Sequence, residues 1–125
     1  IQKMIKNKKI FITGGAGFIS STLIGRLVED NEITVYDNFN RNALQHTEYN
    51  NHPNIEVIEG DVLDLDSLKK GSLGAQIFIH AAGIAGIDNT VKDPVNTLRV
   101  NMLGTANALE SIKDSSCIER FIEFS

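Results

Sequence analysis

A doubly wound parallel α/β sheet is the fold class that this sequence predicts, and three observations predict it. Short runs rich in Ile, Val and Phe alternate with helical stretches, three glycines lie where the first run gives way to the first helix, and an aspartate closes the second run. Continuous apolar runs suit strands buried on both faces, as parallel sheets require, and alternation with helices implies right-handed crossovers. The strand order expected for such a fold is 3-2-1-4-5.

The elements follow in order. Residues 9–13 form the first strand, after a basic lead of Lys3, Lys6, Lys8 and Lys9 that reads as solvated. Residues 18–29 are helical, 33–36 form the second strand, and 38–53, dense in Asn with His46 and His52, read as a loop with a weak helical segment at 44–49. Residues 55–59 are the third strand, 66–70 a short turn of helix and 76–80 the fourth strand. Residues 87–92 read as a solvated loop. In residues 95–112, Val95, Leu98, Met102, Ala106, Leu109 and Ile112 recur at spacings of three and four, one face of a helix. Asp93 caps that helix and Pro94 opens it. Residues 120–124 are the fifth strand.

Composition narrows the function classes. At 125 residues, with 42% hydrophobic and 22% charged residues, the chain fits one globular domain. A net charge of −4 with scattered basic residues leaves no footprint for nucleic acid. No stretch approaches the ~20 apolar residues of a membrane span. The single Cys117 permits no internal disulfide and no cysteine-based metal site, so a cytoplasmic, metal-free protein is expected. Position 1 is Ile rather than Met and the sequence stops at Ser125, directly after the fifth strand, so residues 1–125 read as one domain of a longer chain.

Gly14, Gly15 and Gly17 follow an apolar strand and precede a helix. That context makes a glycine pattern a mechanism: the backbone turns tightly, approaches a ligand closely, and presents helix N–H groups to a pyrophosphate. The pattern reads as Gly15-x-Gly17-x-x-Ser20 or Gly14-x-x-Gly17-x-x-Ser20, and in both registers Ser20 stands at a position that serves helix-to-strand packing, where a small residue suffices. Its hydroxyl is expected to bond back to the helix carbonyls. Asp37, twenty residues after Gly17, ends the second strand where a dinucleotide-binding (Rossmann-type) fold places the carboxylate that accepts ribose hydroxyls. A carboxylate there repels a 2′-phosphate and favours NAD over NADP, with Arg41 as the opposing consideration. His80 is open to reading as a catalytic base or as a strand-end structural histidine, and no serine has the surroundings of an activated nucleophile.

Thr13-Gly-Gly-Ala-Gly-Phe-Ile19, Asp37-Asn38, Gly60-Asp-Val62, His80-Ala-Ala-Gly83, Asn101-Met-Leu-Gly-Thr105 and Arg120-Phe-Ile-Glu-Phe-Ser125, in that order, resemble the extended short-chain dehydrogenase/reductases, the NAD-dependent nucleotide-sugar epimerases and dehydratases. The resemblance implies an NAD site. Gly14, Gly17, Phe18 and Ile19 would meet the pyrophosphate, and Asp37, Asn38, Phe39, Asn40, Arg41 and Asn42 would surround the adenosine ribose. Asp61 and Val62 would hold the adenine edge, while Ala81, Ala82, Gly83, Ile84 and Ala85 would pass beneath the nicotinamide, with Val100 touching the cofactor from the long helix. It further implies that residues 87–92 form part of a substrate rim, with Lys92 as a candidate phosphate contact, and that Asn101 helps organise the long helix.

In the family, a Ser or Thr just past the fifth strand and a Tyr-x-x-x-Lys perform the chemistry. Neither Tyr36 nor Tyr49 has a Lys four residues on, so no catalytic residue is expected in this chain, which would be inactive by itself while its parent transforms a nucleotide sugar by transient hydride transfer. The helix at 94–113 is the expected homodimer surface. Two other readings stay open: a non-enzymatic NAD(P)-sensing regulator, and an NADPH-dependent reductase of a small carbonyl compound.

Overall fold

The computed structural model describes residues 4–124, so Lys3 and Ser125 lie outside the described residues. The elements run β1 (Lys9–Thr13), α1 (Phe18–Leu27), β2 (Glu32–Asp37), a 3-10 turn (Leu44–His46), β3 (Ile55–Glu59), α2 (Leu65–Gly71), β4 (Ile77–His80), α3 (Ile87–Lys92), α4 (Pro94–Ile112) and β5 (Arg120–Glu123). All four strand pairings are parallel, in the order β3-β2-β1-β4-β5. This is the predicted doubly wound sheet.

Alternation along each strand divides the core into two layers. Ile10 and Ile12 of β1, Ile33 and Val35 of β2, and Ile77 and Ile79 of β4 face α1, meeting Ile24 and Val28. Phe11, Tyr36 and Phe78 face the other way, onto Leu68 of α2 and Ala108 and Ile112 of α4. Tilted rings cross that second face in a row, Tyr36 to Phe11 at 5.5 Å, Phe11 to Phe78 at 4.9 Å and Phe78 to Phe121 at 5.3 Å. Such contacts add to the burial itself.

Five expectations are corrected. The edge strands are not buried on both faces: Glu56, Val57 and Glu59 of β3 and Arg120 and Glu123 of β5 are exposed, as suits strands with a free side. The first helix stops at Leu27, where Asn31 Nδ2 donates to Leu27 O at 2.8 Å and satisfies a helix-end carbonyl. The weak segment at 44–49 shrinks to the 3-10 turn. Residues 87–92 form the short helix α3 rather than a loop, though no residue of it is buried.

The fifth concerns the long helix. Asp93 caps it as expected, its Oδ1 accepting from Asn96 N–H at 3.1 Å. Yet Val95, Leu98, Met102 and Leu109 of the apolar stripe are exposed, and only Ile112 is buried. The small residues Thr97, Gly104 and Ala108 are buried instead, with Ala108 packed on the aromatic face of the sheet.

Candidate functional site

The carboxyl ends of β1, β2, β3 and β4 open onto one cleft of about 780 Å³. Open α/β sheets place ligands there, where the chain reverses direction across the sheet between β1 and β4. A wider depression of about 980 Å³ lies at the opposite ends of the strands, lined by Lys8, Glu32, Gln76 and Glu119. It holds the Lys8–Glu119 ion pair, at 2.9 Å, and sits away from the glycine turn, so the cleft is the stronger candidate.

The glycine turn is built by β1 and closed by its neighbours. Gly14 has a left-handed φ of +67°, and a Cβ there would lie 2.7 Å from Ala82 N, so the turn nests directly against the backbone after β4. Gly14 N–H donates to Tyr36 O at 2.8 Å and Gly17 N–H to Gly14 O at 3.0 Å. Gly17 caps α1 with no side chain in play, leaving first-turn N–H groups directed at the end of the cleft. Ser20 is buried, as its packing position requires, but Ser21 and Thr22 are the residues that bond back, each donating to Phe18 O.

Asp37 ties two segments together. Its Oδ2 accepts from Ala16 N–H at 3.0 Å and its Oδ1 from Phe39 N–H at 2.8 Å. A carboxylate offers about four acceptor sites, so two remain for a ligand's hydroxyls.

The cleft brings together most of the sequence-predicted residues. Gly14, Gly17 and Phe18 line it from the glycine turn, and Asp37, Asn38, Asn40 and Arg41 from the end of β2. Asp61 and Val62 line it after β3, Ala81 to Ala85 after β4, and Val100 from α4. Three fall outside. Ile19 is exposed on α1 beyond the rim, Phe39 packs against the core beneath α1, and Asn42 Oδ1 accepts from Gln45 N–H at 3.3 Å to start the 3-10 turn.

Sequence reasoning placed residues 87–92 at a substrate rim but missed Asp93, Asn96 and Thr97, which complete the far end of the cleft beside Asn89 and Lys92. The signal was present in the cap at Asp93, which fixes where α4 begins, but the short α3 that carries Asn89 and Lys92 has too few residues for a period to show.

Two buried titratable groups frame the cleft without entering a catalytic arrangement. Thr13 Oγ1 accepts from Ala82 N–H at 3.3 Å and lies 2.7 Å from His80 Nδ1. With that hydroxyl donating to Nδ1, the neutral ring carries its proton on Nε2, which is buried and unpartnered among the described residues. Burial holds His80 below the ordinary imidazole value of 6.5, partly opposed by the Glu123 carboxylate. Burial likewise pushes the Tyr36 phenol above its ordinary 10.0, so it keeps its proton. No group of three or more His, Cys, Asp or Glu side chains suited to a metal ion occurs among the described residues.

Asn101 explains the shape of the turn after β4. Its Oδ1 accepts from Ile84 N–H at 2.8 Å and its Nδ2 donates to Ile84 O at 3.0 Å, clamping that turn to α4.

Residues 10–125 match the NAD dependent epimerase/dehydratase family. The chain is 38% identical over 104 residues to UDP-glucuronic acid decarboxylase 1 of Danio rerio, covering 82% of this chain and 24% of that protein. Among solved structures, a UDP-N-acetylglucosamine 4-epimerase from Methanobrevibacter ruminantium, in complex with UDP-N-acetylmuramic acid, superposes with a TM-score of 0.85 at 27% identity, covering 94% of this chain and 37% of that one. The Bordetella bronchiseptica enzyme WbmH, in complex with NAD+, gives 0.76 at 28% identity, covering 91% and 37%. The chain thus spans only a quarter to two-fifths of the length of these relatives.

Proposed function

The chain belongs to the NAD-dependent epimerase/dehydratase family, and on that premise we propose that it is the cofactor-holding domain of a longer enzyme that transforms a nucleotide sugar. The observation that carries this reading is the Gly14 cradle, whose missing Cβ, 2.7 Å from Ala82 N, lets the backbone close against a ligand at the head of α1. When bound, NAD accepts and returns a hydride.

The residues present fit that group along the whole cleft. Gly14, Gly17 and the α1 N-terminus would hold the pyrophosphate, and the spare lone pairs of Asp37 the adenosine ribose. Asp61 and Val62 would hold the base. The turn of Ala81 to Ala85, kept in place by Asn101, would carry the nicotinamide end. A negative Asp37 disfavours the 2′-phosphate of NADP, which works against the NADPH-dependent reductase as the second reading.

The nucleotide sugar would enter beyond Ala85, where Lys92 supplies a cation and Asn89 and Asn96 supply amides. Neither tyrosine is placed to act as a base there. Tyr36 is wholly buried with its hydroxyl donating to Asp61 O, and the Tyr49 hydroxyl donates to Ser21 O. The proton-transfer groups of the full enzyme therefore belong outside these residues, and this domain alone would bind without turning over. A lone, free Cys117 suits a reducing cytoplasm. The exposed stripe of α4 is the surface we assign to a homodimer.

Calorimetric titration with NAD+ and NADP+ tests the reading. NAD+ should bind in preference, Gly17→Val should abolish binding, and Asp37→Ala should weaken it by about ten- to a hundredfold, as expected for hydrogen bonds to a charged group. Absence of binding to either nucleotide would reduce the glycine turn to a structural feature.

A further inference from the structure

The loop after β3 is pinned from both sides. Tyr36 Oη, at the end of β2, donates to Asp61 O at 2.8 Å, and Asn107 Nδ2, on α4, donates to Val62 O at 3.0 Å. Asp61 O also accepts from Asp64 N–H at 2.9 Å, and Asp61 Oδ1 from Leu63 N–H at 2.9 Å. Two glycines make room for these struts. A Cβ on Gly60 would fall on the Tyr36 ring, and one on Gly104 would lie 2.8 Å from Val62 Cγ2.

The consequence is geometric. In a trans peptide the C=O and the next N–H point in opposite directions, so drawing Asp61 O inward onto the Tyr36 hydroxyl turns Val62 N–H away from it. Holding Val62 O onto α4 removes the remaining freedom of that residue. Both Asp61 and Val62 line the cleft, so the loop offers one fixed donor, Val62 N–H, beside one fixed acceptor, the Asp61 carboxylate. A 6-aminopurine presents the complement, a ring-nitrogen acceptor next to an exocyclic amine donor. A 6-oxopurine presents a donor and an acceptor in the reverse places.

We propose that Tyr36 and Asn107 are positioning residues for base recognition, which set the preference of the cleft for adenine over a 6-oxopurine by fixing the Asp61–Val62 peptide. The inference rests on the reading of the cleft as an NAD site. Asn107 does not line the cleft, and Tyr36, which borders it, is wholly buried. Each acts through a carbonyl on the far side of the loop.

The test compares NAD+ with nicotinamide hypoxanthine dinucleotide, which differs only in carrying an oxo group for the exocyclic amine. Both are titrated into the unaltered chain, Tyr36→Phe and Asn107→Leu. Phe keeps the ring that fills the space beside Gly60, and Leu is a strong helix former on α4, so both variants retain the fold. The unaltered chain should prefer NAD+ by roughly tenfold or more, as for a site that hydrogen-bonds the group its competitor lacks. Each variant should narrow that preference to about threefold while the hypoxanthine dinucleotide binds within about a factor of two of its original affinity. If both ligands weaken in proportion, or the preference survives in both variants, the two residues are merely structural and the inference is overturned. An unaltered chain that binds both dinucleotides equally overturns the inference and leaves the cleft reading standing. One that binds neither removes the cleft reading, and the inference with it.

Discussion

Single side chains in this domain do two jobs at once, and sequence discloses only one of them. Asp37 is a candidate ribose acceptor from its place at the end of a strand twenty residues after Gly17. Its bond to Ala16 N–H, which locks the glycine turn, is not legible, because nothing local links residues 16 and 37. His80 is similar: its burial follows from the apolar run around it, but its contact with Thr13 appears only when β1 and β4 lie side by side. A pH prediction belongs to this residue. Folded His80 holds its proton less tightly than unfolded His80, so the unfolded state binds more protons as pH falls below about 6.5. Stability should be full above that value and decline as pH falls through the lowered folded value. Urea midpoints at pH 7.5 and 5.5 should therefore differ by more in the unaltered chain than in His80→Asn, and equal differences would count against the assignment.

Among elements, existence is more legible than orientation. The buried strands β1 and β4, the glycine turn and the cap of α4 are readable because each leaves a dense local pattern. Helix α3 leaves none, being six residues long and exposed throughout. The periodicity of α4 announces an apolar face without saying what that face meets. Here the sheet takes the face with Gly104 and Ala108, since small side chains allow the close approach that Val62 and the aromatic row require. The larger stripe then remains outside, with Leu98 at 60% and Met102 at 63% exposure. Exposed apolar surface of this kind is what a homodimer through α4 would bury. Leu98→Lys combined with Met102→Lys should shift the sedimentation profile toward monomer while leaving the unfolding free energy within about 0.5 kcal/mol, the usual limit for surface changes. A profile unchanged by the pair would remove the dimer reading of α4.

Among the described residues the sheet is covered on both faces at its centre, with β3 and β5 as its outermost strands. Its stability is concentrated at the centre, where Phe78 is wholly buried between Phe11 and Phe121. Phe78→Ala should cost about 3–5 kcal/mol, a large part of the ~5–15 kcal/mol that holds an ordinary domain together. A ligand that binds only the folded form offsets about 2.7 kcal/mol at a hundred times its Kd. Saturating NAD+ should accordingly raise the melting temperature of Phe78→Ala as it raises that of the unaltered chain, and a variant that gains nothing would show the core and the cleft to be coupled.

The closeness of Gly14 to Ala82 has a consequence in time. The two residues are separated by almost seventy positions in the chain, and the cradle between them exists only once β4 has settled beside β1. Contacts of such long sequence separation are the slow ones to form. A chain whose fourth strand has not yet docked has the glycine turn but not the cradle, so on the NAD-site reading it would not grip a dinucleotide. Nucleotide binding would then act as a clock for the folding pathway, marking the moment at which the first half of the sheet accepts the second.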